Sequence, residues 1–148
     1  MKTLLLVRHA KSSWADPGQK DFDRPLNTRG LKDAPVMAKR LIARNVEIDV
    51  FISSTAKRAR QTCELFMREF DANPDTMIFQ SELYLAEPDA FTEVIQRINS
   101  TVDHAIIFSH NNGITDFANQ LTNTRIDEMP TCSVFAIKIK ENNWADFA

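Results

Sequence analysis

Only two cysteines and three glycines occur in the 148 residues of this chain. Cys63 and Cys132 lie far apart and neither belongs to a C-x-x-C pair, so they read as free thiols of a reducing compartment. Neither opens a C-x-x-x-x-x-R loop, because the arginine's place is taken by Glu69 after Cys63 and by Lys138 after Cys132. Cysteine-based phosphatase chemistry is thereby set aside. Gly18, Gly30 and Gly113 do not build a G-x-x-x-x-G-K-[ST] cradle, which removes a P-loop nucleotidase. H-E-x-x-H and H-x-H spacings are absent, as is a G-x-S-x-G elbow. Neither sign of charge dominates: 18 basic and 20 acidic residues leave a net charge of −2, with a pI near 5.9 and no long charged block. A nucleic-acid partner is not expected from that balance. No apolar run approaches the roughly 20 residues of a membrane span. The first one, Leu4-Leu5-Leu6-Val7, stops at Arg8, short of the ~7–15 apolar residues of a signal-peptide core. The expectation is a soluble cytoplasmic protein, with monomer as the default.

What is present alternates between strand and helix. Residues 3–7, 49–53, 77–79, 104–109 and 133–139 read as strands. The alternation in the last of these suggests an edge or a half-exposed face. Between them, Leu31, Ala34, Ala38, Leu41 and Ile42 recur at helical spacing, with Pro35 expected to kink that helix or mark a late start. Ala56, Ala59, Cys63, Phe66 and Phe70 form the inner face of a second helix, capped by Ser54 or Thr55. Glu87-Pro88-Asp89 opens a third that buries Phe91, Val94, Ile95 and Ile98, and Asn111 or Asn112 caps a fourth with Ile114, Phe117, Ala118 and Leu121. Such alternation argues a single domain over residues 1–148, a three-layer α/β/α sandwich around a mostly parallel sheet.

Two of the three histidines, His9 and His110, each follow the end of a buried strand run. In open α/β folds the carboxyl edge of the sheet is where ligands bind. A third run, Val50-Phe51-Ile52, leads through Ser53-Ser54 to Arg58 in the first turn of a helix, where the positive helix terminus adds to its field. With Arg8 beside His9, the strand ends gather two imidazoles and two guanidiniums. Phosphoryl transfer wants that set: arginine forks match phosphate oxygens, and a neutral imidazole can attack phosphorus.

Arg8-His9-Ala10-Lys11-Ser12-Ser13-Trp14 resembles the signature of the histidine phosphatase superfamily (phosphoglycerate mutase-like), and is most similar to its small SixA-type phosphohistidine phosphatase branch. Arg24-Pro25-Leu26-Asn27-Thr28-Arg29-Gly30, Arg58-Ala59-Arg60-Gln61-Thr62 and Ser109-His110-Asn111-Asn112-Gly113 continue the resemblance in order, over nearly the whole chain. The resemblance implies that His9 is phosphorylated, that Arg8, Arg58 and His110 form the phosphate pocket, and that no metal or cofactor is needed. Ala10 stands where the superfamily usually has glycine, as is common in the SixA-type branch. Mutase-like members carry a glutamate after the third strand as general acid; here that stretch is Leu83-Tyr84-Leu85, with Glu87 slightly further on. An alkoxide leaving group needs a proton, whereas an imidazole protonated at its other nitrogen leaves easily. A missing acid therefore favours phosphohistidine.

Other residues keep two readings. Ser12 donates to phosphate or caps a loop, and Asn111 supplies a donor or caps its helix. Trp14 lines the mouth or covers a core edge, while Glu87 is a helix-start charge or an acid. Asn27 and Arg29 read as turn and helix-start residues, and His104 as a surface one. The function expected is hydrolysis of phosphohistidine on a protein, a phosphotransfer domain of a signalling or sugar-uptake relay, with inorganic phosphate as product. The alternatives are a broad phosphomonoesterase for small phosphorylated substrates and a phosphate- or phosphoprotein-binding module without turnover.

Overall fold

The computed structural model describes residues 1–148. Its strands are β1 (Lys2–Arg8), β2 (Val50–Ser53), β3 (Met77–Phe79), β4 (His104–Ser109) and β5 (Val134–Ile139). They form one sheet in the order β3-β2-β4-β1-β5, parallel throughout except for β5, which runs antiparallel to β1. Continuous apolar runs suit strands buried on both faces, and the central β1 and β4 are such strands. The alternating β5 is an edge, as its pattern suggests.

Four helices cover the sheet: α1 (Thr28–Ala43), α2 (Lys57–Glu69), α3 (Pro88–Gln96) and α4 (Gly113–Leu121). On one face Ala34, Ala38 and Leu41 of α1 and Cys63, Phe66 and Met67 of α2 pack on Leu5, Val7, Phe51, Ile106 and Phe108. On the other, Phe91, Val94 and Ile95 of α3 and Ile114, Phe117 and Ala118 of α4 pack on Leu4, Leu6, Ile52, Ala105 and Ile107. Odd and even residues of one strand thus feed opposite cores, as the strand's period of two requires. The result is the three-layer α/β/α sandwich. No helix is long and apolar enough to cross a membrane.

Several local expectations are corrected. Pro35 neither delays α1 nor ends it: the helix starts at Thr28, capped by Asn27, whose side chain accepts from the Gly30 amide at 2.8 Å. Leu31 and Ile42 lie on the solvent side of that helix, 48% and 39% exposed, so its buried stripe is narrower than the spacing implied. Neither Ser54 nor Thr55 occupies the cap of α2; Ala56 does, and the Ser54 hydroxyl instead accepts from the Ala56 amide. Asn112 holds the cap position of α4 but makes no side-chain capping bond. Ile98 lies beyond the end of α3 and is only half-buried.

Candidate active site

Register brings the two histidines together. Arg8 of β1 pairs with Ser109 of β4, so the residues that follow, His9 and His110, leave adjacent strands at the same level. The His9 amide donates to the Ser109 carbonyl, and the two imidazole centroids are 5.1 Å apart. Beyond His9 the chain is tied down from α2, where the Thr62 hydroxyl accepts from the Ala10 amide and donates to the Arg58 carbonyl. On its other side the chain meets Gly30 so closely that a Cβ there would stand 2.2 Å from the Lys11 carbonyl oxygen. Only glycine allows that approach.

The tautomer of His9 follows from its partners. Its Nδ1 is 2.7 Å from the Ala10 carbonyl, which can only accept, so Nδ1 carries the proton. Nε2 then bears the lone pair, and Arg58 Nε donates to it at 3.3 Å. Burial lowers the His9 pKa, as do the charges of Arg58, Arg8 and Arg24, while the Ala10 bond opposes them; the outcome is about 4. His110 is pushed down further, to about 2, by burial, by His9 once that ring has taken its own proton, and by the charge of Arg58. Both rings are neutral at neutral pH. His110 Nε2 meets the Ser54 hydroxyl at 2.8 Å, while its Nδ1 and Arg8 Nε are buried without a partner. Arg8 is otherwise held by its Nη1, which donates to the Met129 carbonyl at 2.8 Å and lies 3.5 Å from Glu128.

These groups line a cavity of about 200 Å³, together with Lys11, Ser12, Trp14, Arg24, Asn111 and Thr131. Three guanidiniums and a lysine face it and no carboxylate does, so its field suits an anion. Its size is below the roughly 300–1,000 Å³ of pockets that enclose a whole drug-sized ligand. No group of three or more His, Cys, Asp or Glu side chains is placed to hold a metal ion.

The structure therefore gathers Arg8, His9, Arg58 and His110, and brings Ser12 and Asn111 to the same cavity. The Ser12 hydroxyl accepts from Arg24 Nη1 at 2.7 Å, and Asn111 Nδ2 donates to Glu128 at 3.0 Å. Trp14 stands at the mouth, 75% exposed, with the Arg24 guanidinium 3.6 Å over its ring. Glu87 is not in this lining; it precedes α3 in a neighbouring cleft that shares only Asn111 with the cavity. His104 is half-buried at the far end of β4, 3.7 Å from Glu47.

Sequence reasoning missed Arg24, Lys11 and Thr131 as lining residues, and Asp21 and Tyr84 behind them. Arg24 had a signal, since it opens the second matched segment; Thr131 had none. Asp21 accepts from Arg58, Arg24 and Tyr84, whose hydroxyl is 2.6 Å away. Burial is the largest single influence on the Asp21 pKa and raises it, but the Tyr84 bond and the two arginines together outweigh it and hold it at about 2. Tyr84 packs edge-on to His110 at 5.5 Å, in the stretch where mutase-like members carry an acid.

The model of the histidine phosphatase superfamily (branch 1) matches residues 4–85, a stretch with most of β1, all of β2 and β3, and three of the four clustered residues. The chain belongs to that superfamily. Two solved structures of SixA proteins are similar to it. One, from Agrobacterium tumefaciens and provisionally assigned as the phosphohistidine phosphatase SixA, is 28% identical and superposes with a TM-score of 0.82, covering 91% of this chain and 90% of that one. The other, the protein histidine phosphatase SixA complexed with tungstate, shares the fold with a TM-score of 0.83 at 23% identity over 95% and 91% of the two chains. An uncharacterized chloroplastic protein of Arabidopsis thaliana is 31% identical over 98% of this chain and 70% of its own length.

Proposed function

We propose that the protein hydrolyses phosphohistidine carried on another protein, through a covalent phospho-His9 intermediate. The observation that carries this reading is the His9 ring: neutral, with its proton fixed on Nδ1 and its Nε2 lone pair in a cationic cavity. In the first step Nε2 gives up the Arg58 Nε hydrogen bond, attacks phosphorus and forms a P–N bond as the bond to the substrate imidazole breaks. Arg8, Arg58 and His110 hold the equatorial oxygens, where the charge of the transition state lies. The departing imidazole takes a proton from solvent at its other ring nitrogen. In the second step water attacks phosphorus, the bond to Nε2 breaks, and inorganic phosphate leaves.

Two features favour phosphohistidine over a small phosphomonoester. The cavity lining contains no carboxylic acid to protonate an alkoxide, and Glu87 lies outside it. The cavity is also small, which suits a phosphoryl group presented by a larger partner that stays outside. Phosphate release from a phosphohistidine protein and from p-nitrophenyl phosphate tests this directly. The wild type is expected to prefer the phosphohistidine protein, His9→Ala to lose roughly 10³-fold or more, and Glu87→Gln to stay within about twofold. Preference for the ester, with loss in Glu87→Gln, would move the function to a phosphomonoesterase that uses Glu87 as its acid.

A further inference from the structure

Arg58 and Arg24 both line the cavity, and two guanidiniums facing one space repel each other. Between them stands Asp21, outside the lining, on the loop that leads to α1. Its Oδ2 accepts from Arg58 Nη2 at 3.0 Å, and its backbone carbonyl accepts from Arg58 Nη1 at 2.7 Å. Its Oδ1 accepts from Arg24 Nε at 3.2 Å. Arg58 is thus gripped along its outer edge, which turns its Nε toward His9 Nε2. Two of its five N–H bonds remain for a phosphoryl group. Arg24 is held at its Nε by Asp21 and at its Nη1 by Ser12, with Trp14 stacked on its face. The Tyr84 hydroxyl donates to the same Oδ2 that Arg58 uses.

We infer that Asp21 is a positioning residue for the proposed phosphoryl transfer, a fixed anion that aims the Arg58 and Arg24 guanidiniums at the phosphorus held before His9. It touches neither the reacting atoms nor the cavity, so its effect passes through the two arginines. A carboxylate here also works against anion affinity by partly neutralising the cations. That opposition separates positioning from simple binding: removing Asp21 should slow the chemistry without weakening phosphate binding.

The inference rests on the phosphatase reading, and one experiment tests both. Steady-state phosphate release is measured for wild type, Asp21→Ala and Asp21→Asn, and inorganic phosphate affinity is measured by titration calorimetry on the same proteins. Asp21→Ala is expected to lower kcat by about 10- to 100-fold, the scale of a misplaced catalytic group, while phosphate binds as tightly as before or more so. Asp21→Asn should fall between, because an amide oxygen can replace only one carboxylate oxygen and its NH₂ cannot accept from Arg24. A kcat within twofold of wild type in both variants would overturn the inference and leave the phosphatase reading standing. Parallel loss of kcat, phosphate affinity and thermal stability would also overturn it, by assigning Asp21 to loop structure alone. A wild type silent on every phosphorylated donor would remove the phosphatase reading and this inference with it.

Discussion

Burial and three nearby guanidiniums keep the His9 imidazole from taking a proton where an exposed histidine would. A nucleophile needs its lone pair, so this depression to about 4 keeps Nε2 ready throughout the neutral range. The expected outcome is a His9 ring that titrates near pH 4 in an NMR titration of its Cε1 proton; a midpoint between 6 and 7 would mean that the arginines and burial do not act as argued. Substituting Arg58 should then raise the midpoint, since one of the three repulsive charges is gone. The same ring explains why Arg58 can approach it at all. A guanidinium donates to a neutral Nε2 but is repelled by an imidazolium.

At the scale of elements, the site depends on how a loop is seated between β1 and α1. Gly30 lies in the first turn of α1, pressed against the Lys11 backbone two residues past His9. Alanine normally favours a helix over glycine by about 1 kcal/mol. Here its methyl would meet backbone at 2.2 Å, which a flexible side chain cannot relieve. Gly30→Ala is therefore expected to destabilise by about 1–3 kcal/mol, lowering the urea midpoint, and to reduce phosphate release along with it. An unchanged midpoint would show that the helix shifts without cost. This seating also marks the limit of what could be read in advance. His9 and His110 were legible because a fully buried parallel strand is an unbroken apolar run, and its end is visible in the sequence. The layers followed for the same reason. Asp21 and Tyr84 were not legible, because Asp21 meets Arg58 across 37 residues and Tyr84 across 63, with no periodicity to announce it. Leu31 and Ile42 misled in the opposite sense: helical spacing alone does not say where the buried stripe ends.

The molecule as a whole carries a cost from burying two neutral histidines. The unfolded chain binds protons at these residues near pH 6.5, whereas the folded state refuses them until about 4 at His9 and about 2 at His110. Their folded pKa values are lowered, so stability is full above 6.5 and declines as pH falls through that window. Each excluded proton costs about 1.4 kcal/mol per pH unit once the unfolded residue is fully protonated. Urea midpoints are expected to drop steeply between pH 6.5 and 4, and His110→Asn to flatten that slope by about half. A slope unchanged by that substitution would mean that His110 is protonated in the folded state. Asp21 adds to the same decline at lower pH, since its carboxylate supports the fold until pH falls from 3.8 toward 2.

Trp14 and Trp144 sit at opposite extremes of this fold. Trp14 is 75% exposed and lies under the Arg24 guanidinium at the cavity mouth; Trp144 is fully buried, with its indole N–H donating to the Val102 carbonyl at 2.7 Å. The two indoles therefore emit from different media, one from water beside a cation and the other from the dry interior. Light from the redder emitter reports on what occupies the mouth, and light from the bluer one on whether the chain is folded, so the protein carries its own pair of optical reporters.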